Sequence, residues 1–236
     1  MASVSGIIYF LWFQGPYLDL FDGLHIVLIA VLVDVACGPL ATAVVFNPAK
    51  SRRELVFDLS LVIAIQLVAL AYGIYIASTS KPVALVFEVD RFVAVAAGQV
   101  DKKVWEANQE VECKQSLFAN PCLLGVRDPK DSMEMLKSIE RSSSGEEPSV
   151  RPDWWQPYLL SKSRVKQRMK KLSDLQSHLS ETDQSKLARA MSLISISQVQ
   201  LYFLPLTSQK KLNDWVVLLD EEADLVGFAP VPGWAD

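Results

Sequence analysis

Histidine and cysteine are scarce in this chain, and their scarcity narrows the chemistry that it can support. The 236 residues include two histidines, His25 and His178, and three cysteines. So few histidines leave almost no material for a Ser-His-Asp or Cys-His catalytic site, and no histidine lies near the cysteines to complete a zinc site. The sequence also has no glycine-rich phosphate-binding loop. It therefore predicts a protein that is not an enzyme and needs no cofactor.

The chain also lacks a large excess of charge of either sign in its C-terminal two thirds. From Lys81 onward there are 20 of the 23 basic residues and 22 of the 27 acidic ones. Because these charges nearly cancel, we expect no surface that binds nucleic acid. The same region, 81–236, is long enough for one soluble domain of ordinary size.

Charge is almost absent from two long apolar runs near the N-terminus. The run Leu24–Phe46 is interrupted only by His25 and Asp34, and Leu59–Ala77 contains no charged residue. Each run is long enough to cross a bilayer as a helix. The sequence therefore predicts a membrane region over residues 1–80, with complete transmembrane helices at about 24–46 and 59–79.

Three basic residues, Lys50, Arg52 and Arg53, lie in the short loop between the two runs. Basic residues close to the ends of membrane helices favour the cytoplasmic side. This loop is therefore expected to be cytoplasmic and to determine the topology. Everything after Ala77 is then expected on the far side of the membrane, which makes the protein a multi-pass membrane protein.

A third apolar segment, Val4–Phe13, is too short to span a bilayer. It has no basic start and no small-residue cleavage site, so it does not resemble a removed signal peptide. Two interpretations stay open: the segment is the outer part of a truncated transmembrane helix, or it is an interfacial anchor. In the first, Gly15–Gly23 forms a short external loop.

Asp34 is the polar residue that the first complete span has to accommodate. A carboxylate at mid-membrane is costly, so it should face protein or be protonated. At helical spacing Asp34, Gly38 and Ala41 share one face, which is the candidate contact with a partner's membrane helix. A hydrogen bond within the protein, from Asp34 to Gln66 of the next span, explains the residue equally simply.

Beyond Lys81 the sequence pattern predicts strands and short helices. Alternating apolar residues predict one long strand from Val83 to Val95, with Glu88 and Asp90 on its outer face. Further strands are predicted at Leu201–Leu206, Trp215–Asp220 and Leu225–Pro230, the last two joined as a hairpin. Helices are predicted at Asp131–Ile139, at Ser161–Leu179 and after an N-cap sequence at Ser180–Asp183.

The predicted fold class is therefore a membrane-anchored α+β protein, whose periplasmic domain over 81–236 contains an antiparallel sheet. The helix Ser161–Leu179 carries a dense basic face from Arg164 to Lys171. That face is either a solvated surface or a contact with lipid headgroups. Cys113 and Cys122 both fall in the external part, where an oxidising periplasm allows a disulfide between them.

Several segments resemble the TfpX/TfpZ family of type IV pilin accessory proteins. The most specific is the block from Phe46 to Arg53. The resemblance extends over nearly the whole chain through the segments Val33–Leu40, Val44–Leu55, Gln66-Leu67, Ala71–Gly73, Lys81–Val83, Val86–Phe92, Met133–Leu136, Arg151–Trp154, Tyr158, Leu204–Leu206 and Trp215–Asp220. Members of this family usually begin with a complete first transmembrane helix, whereas this chain begins with the short Val4–Phe13 segment.

The resemblance implies an inner-membrane accessory protein, chaperone-like and without catalytic residues, that assists the stability of a type IV pilin or its entry into the pilus. Its expected partners are the major pilin subunit and the pilus assembly machinery, with no small-molecule substrate. The competing hypothesis is a membrane-anchored periplasmic domain that binds or senses a ligand.

Overall fold

The computed structural model describes residues 12–13, 15–24, 28, 51–113, 119–194 and 200–234. They form an α+β fold in which one mixed sheet is joined to a long apolar helix. The strands are β1 (Pro82–Glu88), β2 (Arg91–Ala96), β3 (Cys122–Val126), β4 (Trp155–Pro157), β5 (Lys170–Lys171), β6 (Tyr202–Thr207), β7 (Trp215–Leu219) and β8 (Leu225–Ala229). The helices are α1 (Tyr17–Leu20), α2 (Arg52–Ser80), α3 (Lys102–Ala107), α4 (Ser132–Ser143), α5 (Tyr158–Arg168), α6 (Leu172–Gln176) and α7 (Glu181–Ser192).

The sheet is mixed, so the prediction of an antiparallel sheet was wrong. The strand order is β4-β3-β1-β2-β6-β7-β8, with β5 paired to β6. Two of the pairs, β1 with β3 and β2 with β6, are parallel. The connections before β3 and before β6 contain helices, and a parallel pair requires a crossover of that kind. Alternation within a strand cannot reveal this, because it is the same in both arrangements.

The predicted long strand from Val83 to Val95 is instead a hairpin. Strand β1 pairs antiparallel with β2, Glu88 opposes Arg91, and Val89 and Asp90 form the turn. Arg91 falls on the apolar face of the alternating pattern from Val83 to Val95 and interrupts it. The interruption marks the start of the second strand, β2. The strands predicted at Leu201–Leu206, Trp215–Asp220 and Leu225–Pro230 are confirmed as β6, β7 and β8, and the last two form the predicted antiparallel hairpin.

Of the predicted helices, two are confirmed and one is divided. Helix α4 begins at Ser132 with Asp131 as its N-cap, and α7 begins after Ser180, whose hydroxyl accepts a hydrogen bond from the Asp183 backbone N–H. The predicted helix Ser161–Leu179 is broken after Arg168. The backbone there becomes extended, because Lys170 and Lys171 pair with β6 before α6 begins.

Both faces of the sheet are covered. On one face, α5 and the N-terminal segment pack against Leu85, Phe87 and Phe92. On the other, tryptophans cover the β1–β2 half, and α6 and α7 cover the β6–β8 half. Burial on two faces explains why β1 and β2 are almost continuously apolar.

The N-terminal segment Trp12–Phe21 is part of this core. Phe13, Tyr17, Leu20 and Phe21 are buried in the same apolar cluster as the strands. Leu20 is completely buried, and its carbonyl accepts a hydrogen bond of 2.7 Å from the hydroxyl of Ser208. An external loop at Gly15–Gly23 was predicted under the truncated-helix interpretation, whereas the structure places the short helix α1 there, against the sheet.

Helix α2 is the one helix in the described part of the chain that is long and apolar enough to cross a membrane. Its N-terminus has a capping box, in which Ser51 and Glu54 bond each other's backbone N–H. The 29 residues give a length of about 43 Å, and most side chains along the helix are exposed. At its other end the chain passes through Lys81 directly into β1.

The first prediction tests the insertion of the N-terminal segment into the core. Leu20→Ala should lower the free energy of unfolding by about 2–5 kcal/mol, because it removes a fully buried side chain. Leu24→Ala is the matched control, since Leu24 lies just beyond this segment and is 54% exposed. Thermal unfolding of the full chain in detergent measures both; an equal loss from the two variants would contradict the packing.

Candidate functional site

A cluster of buried and half-buried charged and aromatic side chains lies at the end of the sheet opposite to the one that α2 enters. Its centre is Trp154, which is buried between two arginines: the guanidinium carbons of Arg127 and Arg151 lie 4.7 and 4.6 Å from its ring centre. Two cations facing one indole form cation–π contacts, which gain strength when the groups are withdrawn from water. We call Glu88, Arg127, Glu134, Arg151 and Trp154 the Trp154 cluster.

Arg127 joins the end of β3 to the first turn of α4. Its two terminal nitrogens donate to the two carboxylate oxygens of Glu134, at 3.0 and 2.7 Å. This bidentate pair, with a further bond from the Lys130 backbone N–H, lowers the pKa of Glu134 to about 2. The carboxylate therefore stays charged at any physiological pH, and the pair fixes how α4 leaves the sheet.

Arg151 holds the opposite side of the cluster. It is 4% exposed, and one of its terminal nitrogens donates to the hydroxyl of Ser138, on the inner face of α4. The indole N–H of Trp155 donates to the carbonyl of Ser149 at 2.8 Å. The two turns over 148–154 are therefore tied both to α4 and to the sheet.

Glu88, the last residue of β1, is buried beside these turns. The sequence placed it on an outer face, but it is 5% exposed, because the turn at 148–150 covers this end of the strand. Burial raises the pKa of Glu88, and the nearby charge of Glu147 adds to the effect; hydrogen bonding from Ser149 and the charge of Arg91 oppose it. Its Oε2 atom has no hydrogen-bond partner among the described residues.

The turn between β1 and β2 is strained. Val89 has a φ of 56°, a conformation in which a β-branched residue is a genuine outlier. Its side chain is 69% exposed, so it gains little from burial. Strain of this kind persists only where surrounding contacts hold it in place, and here the buried Glu88 and the Arg91 at the start of β2 flank it.

Only some of the residues predicted to form a partner contact or to determine the topology lie in the part of the chain that the structure describes. Asp34, Gly38, Ala41 and Lys50 lie outside the described residues. Arg52 and Arg53 are exposed in the first turn of α2, where they stay predicted determinants of topology.

Cys113 and Cys122 are joined by a disulfide, with their Cα atoms 6.0 Å apart. Both cysteines pack against the tryptophan-rich core cluster. The bond therefore ties the start of β3 to the segment that follows α3.

Sequence reasoning missed the Trp154 cluster as a unit. The segments Val86–Phe92 and Arg151–Trp154 were both part of the family resemblance, but nothing in their spacing predicted that they meet. Among the described residues no group of three or more His, Cys, Asp or Glu side chains is placed to hold a metal ion. The cluster's bonds connect loops, strands and a helix, so the cluster ties these elements together at this end of the domain.

These features describe an α+β domain attached to an apolar helix and stiffened by a polar cluster at its far end. The chain is 30% identical to the serogroup I fimbrial assembly protein of Dichelobacter nodosus over 95% of its own length and 86% of that protein. It is also 30% identical to the serogroup E1 protein over 94% and 86%, and 37% identical to the serogroup C1 and C2 protein over 42% and 76%. The chain therefore belongs to the family of fimbrial assembly proteins. No family model and no solved structure matches it.

The second prediction concerns the buried carboxyl group. Because folding raises the pKa of Glu88, its protonated form favours the folded state, and stability falls as pH rises above the unfolded value of 4.5. Glu88→Gln should remove this dependence and raise the melting temperature near neutral pH by a few degrees.

Thermal unfolding of the full chain over a pH series tests this. The gain should shrink below about pH 4.5, where the wild-type group is protonated in both states. Glu106→Gln is the control, since its side chain is 61% exposed and its charge does not contribute to the pKa shift of Glu88, so it should change little. A lower melting temperature for Glu88→Gln at neutral pH would show that the charged form is the stabilising one.

Proposed function

We propose that this protein is an inner-membrane accessory protein of a type IV pilus, which assists the stability or assembly of the pilin subunit without catalysing a reaction. The observation that carries the proposal is the similarity to fimbrial assembly proteins along nearly the whole chain. The resemblance of the Phe46–Arg53 block to the TfpX/TfpZ family supports the same role.

The fold supports a topology with two membrane crossings. Leu20 and β1 belong to one core, so the segment around Leu20 and the sheet that begins after Lys81 lie on the same side of the membrane. If α2 crosses the membrane, the stretch between Leu24 and Ser51 has to cross it in the opposite direction. As a helix, residues 25–50 would be about 39 Å long, close to the length of α2. We infer that both runs span the inner membrane and that the sheet is periplasmic.

The third prediction tests this topology. At Ser51, a fused reporter that works only in the cytoplasm should be active. After Gly98, a fused reporter that works only in the periplasm should be active. Replacing Lys50, Arg52 and Arg53 together by Gln should scramble the orientation, because the basic bias would be lost. In the correct orientation Cys113 and Cys122 should resist thiol labelling until a reductant is added. A cytoplasmic signal after Gly98 would overturn the periplasmic assignment.

The proposed partner is the pilin subunit, which has an apolar helix in the membrane and a globular head in the periplasm. A protein with membrane helices and a periplasmic sheet offers a contact for each part. In the membrane we propose the face that carries Asp34, Gly38 and Ala41, since small residues allow close helix approach and a carboxyl group can form an interhelical hydrogen bond.

The fourth prediction concerns that contact. A deletion strain should lose surface pili, and a photocrosslinker at Ala41 of the full-length protein should capture the major pilin. Asp34→Ala should reduce this crosslink while the protein stays abundant. Gln66→Ala is the control for an internal Asp34–Gln66 bond: if both variants are degraded alike, Asp34 has a structural role. Unchanged pili in the deletion strain would defeat the accessory function and favour a ligand-sensing domain.

A further inference from the structure

Helix α4 is amphipathic, but its apolar face is turned outward. Four apolar side chains are well exposed: Met133 (60%), Met135 (53%), Leu136 (63%) and Ile139 (55%). At 100° per residue they fall within roughly half of the helix circumference. An amphipathic helix at the surface of a soluble domain normally packs that face on the core, so the orientation of α4 is reversed.

The reversal is fixed by the polar side of the helix. Glu134 is held by both terminal nitrogens of Arg127, and Ser138, the one buried residue of the helix, accepts a hydrogen bond from Arg151. Turning the apolar face inward would break the Arg127–Glu134 pair and leave the buried Arg151 without its acceptor. The Trp154 cluster therefore presents the apolar face to the outside.

The position of α4 argues against the protein's own membrane as the occupant of this face. Strand β1 begins immediately after α2. Helix α2 contacts the turn Ala97–Gln99 at the same end of the sheet, and β3 is parallel to β1. Helix α4 follows the end of β3, so it lies at the end of the sheet farthest from α2. An apolar surface there meets periplasm rather than lipid, and its occupant is expected to be a protein.

The size of the face argues against a permanent dimer of this chain. Four side chains of this kind offer roughly 400 Å² of apolar area, about half of what each partner buries in an interface of standard size. Methionine is flexible and adapts to differently shaped partners. The small area and the flexible methionine side chains are both suited to a transient contact.

We propose that the outward face of α4, formed by Met133, Met135, Leu136 and Ile139, binds transiently to an apolar surface of the periplasmic part of the pilin subunit. The proposal rests on the proposed function. A subunit that waits for polymerisation exposes the surfaces that will later pack against its neighbours, and such exposed apolar patches associate prematurely unless they are covered. The face of α4 covers one of them until the subunit is incorporated.

The fifth prediction tests this in the full-length protein, in membranes of a piliated strain. A photocrosslinker at Leu136 should capture pilin, and the double substitution Met133→Glu/Ile139→Glu should lower that adduct at least about tenfold, because charges would be buried in an apolar contact. The number of surface pili should fall in parallel.

The matched control is Leu159→Glu/Leu160→Glu on α5. These two leucines are 74% and 62% exposed, so the control adds the same charge at equally accessible apolar positions, and the adduct at Leu136 should persist. Melting temperatures of both double variants equal to that of the wild-type protein exclude an effect on folding. Equal loss of the adduct in both would overturn the assignment to α4.

Three other outcomes also overturn the inference: an adduct with a second copy of this chain, an adduct with lipid alone, or full piliation by the α4 variant. The deletion strain separates these from a failure of the proposed function. If deletion removes pili and pilin still crosslinks at Ala41, only the α4 contact is refuted. If deletion leaves pili intact, the accessory function itself is refuted.

Discussion

The packing of the N-terminal segment into the sheet is the constraint on which the rest of this structure depends. Three polar contacts anchor it: Ser208 bonds the carbonyl of Leu20, the Trp215 indole donates to Asp19 at 2.8 Å, and Lys210 pairs with Asp22 at 3.0 Å. The partners are separated by 188 to 196 residues in sequence. The structured unit therefore includes residues on both sides of α2. Its core can be completed only after the C-terminal strands have been synthesised, because they supply the partners of the N-terminal segment.

This closure restrains the apolar helix as well as the sheet. Lys81, the residue that follows α2, lies with its Nζ atom 5.9 Å from the centre of the Trp12 ring, and Ala97 donates its backbone N–H to the Lys81 carbonyl. The start of the N-terminal segment, at Trp12, and the end of α2, at Lys81, are thus held together at one edge of the domain. Lys81 is the single residue between Ser80 and β1, so the helix and the strand are joined without a longer linker.

The opposite end of the domain has a different character. There the Trp154 cluster consists of charged and aromatic contacts instead of apolar packing. These contacts fix α4 with its apolar face outward. Buried ionic groups are costly, so they are poor evidence for stability by themselves; here they determine which face of a helix points outward. In the proposed function the membrane helices and α4 would then meet different parts of one pilin subunit.

The sequence by itself determined the elements whose patterns are local. The capped helices α4 and α7, the hairpin of β7 and β8, and the apolar helix predicted at about 59–79 follow from spacing, caps and turns, which involve neighbours in the chain; the structure begins that helix earlier, at Arg52. Those features are decided within a few residues, so tertiary context did not change them.

Only the tertiary structure decided the features that need distant residues. The parallel pairs of the sheet, the break after Arg168 and the burial of Leu20 depend on which segments meet. Glu88 alternates with apolar residues as an exposed carboxylate would, and it is buried because a turn 60 residues later covers it. Local pattern is misleading for α4 as well. Met133, Leu136 and Ile139 have the spacing of a helix that faces the core, but they point outward. Their outward direction comes from Arg127 and Arg151, which lie elsewhere in the chain and bind the polar side of α4.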